Sequence, residues 1–467
     1  MSILRSNAGD CSISLVLERD GEVIQATDGG KNLVGFLRGW EIYETIESGT
    51  IEATFIFEDS AGISNIFSGS ELIRFEVRGT VATRKYNFRG YNISNRQRTG
   101  QTTDIFMIQA CSDEFIKNEV TNVFGNSEVV FKKTGLESSE IVKEVVKNTK
   151  FLGSDKKVFA EESLNKHKFV APNWRVMDAI YWIAQRSVRK KKTGGGFQNG
   201  FTFFENAMGY HFKSIDGMIE DINEQDEETE TNTTTGKARL YKYVYSAKKI
   251  DSGAGDQFKI DSVSFPEERN FLMGLRHGAW SGYSVGFDPV TVNQSRWGGE
   301  SSDLSADMYK YKVSEAWKSM SHLGGKNSVN PMSRLDDEFM NLVDNPKRVR
   351  YTILPNQIFD KKWYNYIPGL VKDSQKNYEA LVELQAYQWM RMETMKNTRL
   401  QVVVPGNLDL YGGYGIHITL PSTEKSQDKI KVDKRFSGRY MIVTIAHKGT
   451  PDNFSSEMLL MKDGVIP

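Results

Sequence analysis

Hydrophobic and polar positions alternate with a period of two through much of the first quarter of the chain. In residues 49–58, Ile51, Ala53, Phe55 and Phe57 fall on one side, against Thr50, Glu52, Thr54 and the less polar Ile56. That spacing describes a strand with one buried face. Residues 12–18 lead into Asp20-Gly21, a pair that favours a tight hairpin turn, so Val23-Ile24 opens the return strand. Residues 40–46, 71–78, 86–94 and 103–111 follow similar patterns. About seven short strands separated by turns predict a small antiparallel barrel or sandwich.

The period changes after Cys111. Residues 113–120 read as a helix, as do 138–148, with Ser138 as N-cap and Ile141, Val142, Val145 and Val146 as the apolar stripe. A third helix is expected from near Asn173, just after Pro172. Val176, Ile180, Ile183 and Ala184 lie on one side, and Trp174, Met177 and Trp182 widen that face. A basic loop follows at 189–196, then a hairpin whose strands, 201–204 and 210–215, flank residues 205–209. Residues 220–235 are acidic and Thr-rich with almost nothing apolar, which predicts a solvated loop.

Strand patterns return at 258–265 and around 271–287. A helical stretch over 307–397 is broken at Gly324-Gly325, Pro331, Pro346, Pro355 and Pro368-Gly369. Its best helix covers 376–396, where Leu381, Val382, Leu384, Tyr387, Trp389, Met390 and Met392 occupy so much of the girth that two partners should bury it. From Arg399 the chain is β again, at 400–406, 415–421, 438–447 and 457–462. The fold class is therefore α+β and mostly β, with two β modules and mixed elements inserted.

At 467 residues the chain suits two to four domains. Sixty basic residues balance sixty acidic ones. That balance argues against a large sequence-independent grip on nucleic acid, which needs excess Lys and Arg. The two cysteines, Cys11 and Cys111, make neither a disulfide framework nor a CxxC motif and read as reduced and structural. No basic-then-apolar leader begins the chain, and no apolar run approaches the roughly 18 residues of a spanning helix. The expectation is a protein folded in a cytoplasm, without a membrane anchor.

Candidate chemistry is sparse. His167, His211, His277, His322, His417 and His447 are scattered and form no HExxH, HxH or His-Cys cluster, so no metal site is expected. Glu205, between aromatics near a strand end, is the most tempting glycosidase carboxylate. Glycoside hydrolysis needs a second carboxylate at a defined distance, and none is identified. The plainer reading of Glu205 is a polar hairpin turn. Lys192-Thr-Gly-Gly-Gly inverts the order of a phosphate loop. Arg186, Arg189, Lys190, Lys191 and Lys192 read better as a solvated helix end, favoured by the helix dipole, than as a nucleic-acid contact. No catalytic, cofactor-binding or metal residue is assigned, and no enzyme activity or cofactor is expected.

Three segments, in order along the chain, resemble the central hub family of contractile-tail (myovirus-type) phage baseplates. The first joins Pro172-Asn-Trp-Arg-Val-Met-Asp-Ala-Ile-Tyr-Trp-Ile-Ala-Gln-Arg to Gly200-Phe-Thr-Phe-Phe-Glu-Asn-Ala-Met-Gly-Tyr-His-Phe-Lys-Ser-Ile-Asp. The second covers 271–288 and ends Gly278-Ala-Trp-Ser-Gly-Tyr-Ser-Val-Gly-Phe-Asp. The third combines Leu400-Gln-Val-Val-Val-Pro-Gly-Asn, Gly415-Ile-His-Ile-Thr-Leu-Pro and Phe436-Ser-Gly-Arg-Tyr-Met-Ile-Val-Thr-Ile-Ala-His.

The resemblance implies a structural virion protein forming a homotrimeric ring, each subunit holding two tail-tube-like antiparallel β-barrels. The first barrel would be 1–111, and the second would join 258–292 to 398–467. An α+β outer domain would occupy 112–257, with the acidic loop 220–235, and 293–397 would be its helical, irregular part. Implied partners are a central spike, in some cases lysozyme-bearing, on one rim, tail tube or tube-initiator proteins on the other, and baseplate wedge proteins. DNA and a tape-measure protein would pass through the channel without specific binding. The alternatives are a tail-associated peptidoglycan hydrolase and the hub of a phage-derived contractile injection system.

Overall fold

The computed structural model describes residues 7–25, 30–65, 67–125, 135–167, 169–190, 198–245, 256–266, 271–277, 282–287, 310–319, 338, 349–353, 374–396, 398–426 and 429–463. The first module contains β1 (Cys11–Arg19), β2 (Glu22–Val23), β3 (Leu37–Thr45), β4 (Glu52–Asp59), β5 (Leu72–Gly79), β6 (Thr83–Arg98) and β7 (Asp104–Ser112). They pair antiparallel in the order β3-β4-β7-β6-β5-β1-β2. The Asp20-Gly21 turn has positive φ at both residues, 51° and 82°, as a tight hairpin between right-twisted strands requires. The inward phase read from the sequence is the buried one: Ile51, Ala53, Phe55 and Phe57 all lie in the core. Phe55 meets Phe75 edge-on at 5.0 Å, and Phe57 stacks on Phe106 at 5.6 Å. Both cysteines are buried and unbridged.

The mixed region follows, with α1 (Asp113–Val120), β8 (Asn122–Gly125), β9 (Leu136–Glu137), α2 (Ser138–Lys147), β10 (Val158–Ala160), β11 (Lys166–His167), β12 (Ala171–Arg175), α3 (Val176–Ala184), β13 (Phe201–Asn206), β14 (Gly209–Ser214) and α4 (Ile215–Glu224). The apolar stripe of α2 packs against α3 and the β13–β14 hairpin in one core. Two helix starts differ from the sequence expectation. Glu137, not Ser138, caps α2, in a capping box with Glu140, while the Ser138 hydroxyl meets His167 and Ser187. Residues 171–175 are a strand with a bulge, and Asn173 has φ of 58°, so α3 cannot begin until Val176.

The remaining elements are β15 (Tyr241–Tyr245), β16 (Lys259–Ile260), β17 (Ser262–Ser264), α5 (Phe271–His277), β18 (Tyr283–Phe287), β19 (Lys310–Lys312), α6 (Val313–Ser319), β20 (Val349–Ile353), α7 (Ser374–Met395), β21 (Arg399–Pro405), β22 (Gly415–Thr419), β23 (Pro421–Ser426), β24 (Lys429–Val432), β25 (Gly438–Gly449) and β26 (Phe454–Met461). A second ring runs β15-β22-β25-β26-β21-β17, and the chain between β17 and β16 returns it to β15. Two strands fall elsewhere than the sequence reading placed them. β15, read within the outer region, joins this ring, because Tyr241 and Tyr243 alternate inward against Lys242 and Val244. β18, read as part of the second barrel, lies in a separate sheet with β19 and β20.

Helix α7 is buried from several sides, as its girth predicts. Ala380 and Leu384 pack on Val188, Met395 on Phe204 and Met218, and Tyr387 reaches Asp216. The interruptions at Gly324, Pro331, Pro346, Pro355 and Pro368, the glycines of the basic loop, and residues 278–281 and 288 of the second motif lie outside the described residues.

The two rings are one sheet because β25 changes partner along one edge. Gly438–Met441 pairs with β22; after a bulge between Ile442 and Thr444, Thr444–Gly449 pairs with Thr45–Trp40 of β3. The opposite edge stays on β26. The β25–β26 turn then closes the first ring: Cys11 N–H donates to Asp452 O at 2.8 Å, and Phe454 N–H to Gly9 O at 2.9 Å. Phe454 plugs the first core, 5.5 Å from Trp40. Space for Phe454 exists because residues 406 and 449 are glycines, where a Cβ would come within 2.4 Å of its ring and within 2.5 Å of its Cβ, respectively. Phe454→Ala is expected to lower unfolding stability by about 3–5 kcal/mol, and Gly406→Ala by about 1–3 kcal/mol through overpacking. Urea titration measures both, and values under half a unit would show that the plug is not seated.

Candidate functional site

The densest buried polar chemistry lies where the modules meet. Asp409, in the loop between β21 and β22, is its centre. Oδ1 accepts from Arg84 Nη2 at 2.9 Å and the Tyr411 hydroxyl at 3.0 Å. Oδ2 accepts from the Tyr241 hydroxyl at 2.8 Å and Thr231 Oγ1 at 2.6 Å. Arg84 comes from β6 of the first ring, donates Nε to Leu408 O at 3.2 Å, and lies over the Tyr411 ring. One carboxylate thus ties the first ring, the acidic loop and β15. Beside it, Asn407 donates Nδ2 to the Tyr243 hydroxyl at 3.0 Å. Its backbone N–H reaches Ser456, which also meets His447.

Glu44 forms a second tie. It continues the inward phase of Trp40 and Ile42 on β3 and is fully buried. Oε1 accepts the Ala207 N–H at 2.9 Å, from the β13–β14 turn, and Oε2 the Gly412 N–H at 3.2 Å, from the β21–β22 loop. Burial pushes its carboxyl up to about 7, against the two N–H donors and the charge of Arg84.

Glu205 forms a third tie. It lies on β13, not in the turn, and is 1% exposed. Lys156 Nζ bridges its Oε1 at 2.6 Å and Glu114 Oε2 at 2.5 Å, and Ile51 N–H donates to its Oε2 at 3.3 Å. Burial raises its pKa and Lys156 opposes the rise. A carboxyl enclosed in this way has no access to a glycosidic oxygen. A fourth tie joins α7 to α4 and the end of the second ring: Arg391 Nε donates to Asp216 at 2.9 Å, and its terminal nitrogens to Asp463 at 2.5 and 2.7 Å.

The basic run is not a uniformly solvated helix end. Arg189 is 2% exposed, held by Glu161 at 2.5 Å and Glu220 at 3.0 Å; burial alone would depress its pKa, but these partners raise it. Lys190 pairs with Glu162, and Arg186 covers the Trp182 ring at 4.1 Å. Lys191 and Lys192 lie outside the described residues. Arg189, Lys190 and their carboxylate partners Glu161, Glu162 and Glu220 border a cleft of about 600 Å³ whose further lining includes Phe159, Lys213 and Asp221, with Lys213 paired to Asp221.

His211 is sandwiched between Phe159 and Phe204, each 4.9 Å away, and burial pulls its pKa well below the ordinary histidine value. Among the described residues no group of three His, Cys, Asp or Glu is placed to hold a metal. Glu44 and Asp409 were not singled out from the sequence. Glu44 had a signal, the inward phase of β3; Asp409 had none.

Comparison with known proteins gives likeness of fold only. No family model matches the chain, and no curated relative matches it. A tail protein from Neisseria meningitidis MC58 superposes over 97% of each chain with a TM-score of 0.50 at 8% identity. The chain shares the fold of a tail protein. A 43 kDa tail protein of prophage MuSo2 from Shewanella oneidensis aligns over 97% of this chain and 100% of that one, with a TM-score of 0.49 at 7% identity. A PdpA-VgrG complex from Francisella aligns over 98% of this chain and 53% of that one, with a TM-score of 0.45 at 10% identity.

Against this fold, the inter-module ties read as architecture. Each of them has at least one bond that crosses between modules, from Arg84 to Asp409, from Ala207 and Gly412 to Glu44, from Ile51 to Glu205 and from Arg391 to Asp216 and Asp463. Asp409→Ala strands Arg84 and is expected to cost about 3–5 kcal/mol in denaturant-induced unfolding. A change below about 1 kcal/mol would show that the tie contributes no more than an exposed pair.

Proposed function

We propose that the chain is a structural hub subunit of a tail baseplate, three copies of which form a ring between a six-fold tube and a three-fold central spike. The observation that carries this reading is the pair of β rings fused through β25 into one sheet. Three such chains would present six β rings to a tube, and a fused pair would hold its two rings at a fixed spacing. The likeness in fold to a tail protein supports the same reading. The spike, tube or initiator and wedge proteins are its proposed partners, the virion baseplate its location, and DNA and a tape-measure protein its channel's passengers. A balance of sixty basic and sixty acidic residues suits a channel that must not retain a polyanion.

The chain is proposed to be non-catalytic. The enclosure of Glu205 by Lys156, Glu114 and the Ile51 backbone removes the best carboxylate for the hydrolase alternative.

Mass measurement and electron microscopy of the purified chain, with and without a spike protein, test the proposal. Trimeric rings, alone or on adding the spike, are expected. A chain that stays monomeric with every tail component offered would overturn it. On cell-wall zymograms the purified chain is expected to leave no clearing, and clearing by this chain alone would restore the hydrolase reading.

A further inference from the structure

The seam between the two rings sets which walls remain open to a neighbour. In the first ring, β6 is the strand farthest from the seam. It lies three steps from β3 through β4 and β7, and three from the β25–β26 turn through β1 and β5. In the second ring the farthest position is residues 259–264, three steps from β25 through β26 and β21 or through β22 and β15.

Both far walls carry exposed apolar side chains. Tyr91 stands at the β6 bulge between Gly90 and Asn92 and is 49% exposed. Phe258 and Phe265, 43% and 46% exposed, bracket β16 and β17, and Val244 is exposed beside them on β15, opposite Lys259. Scattered apolar residues are ordinary on any surface. These are grouped: among the described strands of the two rings, the remaining exposed large apolar side chain is Tyr43, at the seam itself. The walls also differ in charge. Strand β6 carries Arg84, Lys85, Arg89, Arg96 and Arg98 and no carboxylate, and Lys85, the most exposed of them, meets Glu76 at 3.5 Å. Asp261, between β16 and β17, is exposed and makes no ion pair among the described residues.

We propose that the β6 wall of one chain docks head to tail on the 258–265 wall of a second copy, Tyr91 of one meeting Phe258 and Phe265 of the next. The joint rests on the hub reading above and supplies the contact that closes its ring. Within a chain the first ring meets the second at β3–β25; between chains the far wall of the second meets the far wall of the first. Pairing β6 with β6 would set like charges together, so the contact joins two different surfaces. Such a contact propagates from copy to copy until it closes, and three copies then alternate intrachain seams with docked joints.

Native mass and electron microscopy of the full-length chain, under the conditions in which it forms rings, test the joint. Tyr91→Asp and Phe258→Asp/Phe265→Asp are each expected to raise the concentration for half-assembly at least about tenfold. Phe124→Asp, more exposed but on the mixed region, leaves it unchanged. A mixture of the two wall variants, each defective in one wall, is expected to give a 1:1 dimer through the remaining intact pair and nothing larger. Should the Phe258→Asp/Phe265→Asp chain fold poorly, Asp261→Arg, at an exposed position, takes its place. Rings that persist in both wall variants, or a mixture that closes into trimers, overturn the joint and leave the hub reading standing. A wild-type chain that forms no ring with any tail component overturns both.

Discussion

A single strand that changes partner holds this molecule together. Strand β25 gives the first part of one edge to β22 and, past the bulge at Val443, the last part to β3, while β26 keeps the other edge. A bulge allows this because the extra residue bends the strand and increases its local twist, so the edge can leave one ring and enter the next. Neither ring is therefore independent. The first is closed by the β25–β26 turn, and the second contains both strands throughout. Backbone hydrogen bonds across a buried seam resist loss because every group left unpaired there carries a desolvation cost.

The other features of the junction follow from the seam. Glycines at 406 and 449 let Phe454 pass from the second module into the first core. Buried charges at the junction are neutralised in place, by Arg84 on Asp409 across the two rings and by Lys156 on Glu114 and Glu205 within the mixed region. Buried ion pairs of this kind contribute little net stability compared with an apolar filling, but they penalise any misdocked arrangement that leaves one charge alone. That suits a part whose modules must keep one relative position.

Much of the fold was legible in the sequence because strand and helix periods are local. The 51–57 alternation, the Asp20-Gly21 turn and the α2 stripe of Ile141, Val142, Val145 and Val146 were each visible within a dozen residues. The junction was not legible, because its partners are far apart in the chain: Trp40 pairs with Gly449, and Arg84 meets Asp409. Asn173 shows the limit at short range. An apolar face suited to a helix overlapped a left-handed backbone position, and the turn geometry delayed the helix to Val176. Arg189 looked like surface charge because its carboxylates, Glu161 and Glu220, come from either side of it in sequence.

The central claim is that the two rings are one block joined at β3–β25, the property on which the proposed ring assembly rests. Glu41 and Lys448 face each other in that pairing, 3.6 Å apart at their charged ends. The most direct measurement is disulfide formation in the Glu41→Cys/Lys448→Cys double variant under mild oxidation of the native protein. The account expects near-complete cross-linking within the chain, with native spectra and a single unfolding transition retained. Thiols that stay free until the protein is denatured would contradict it.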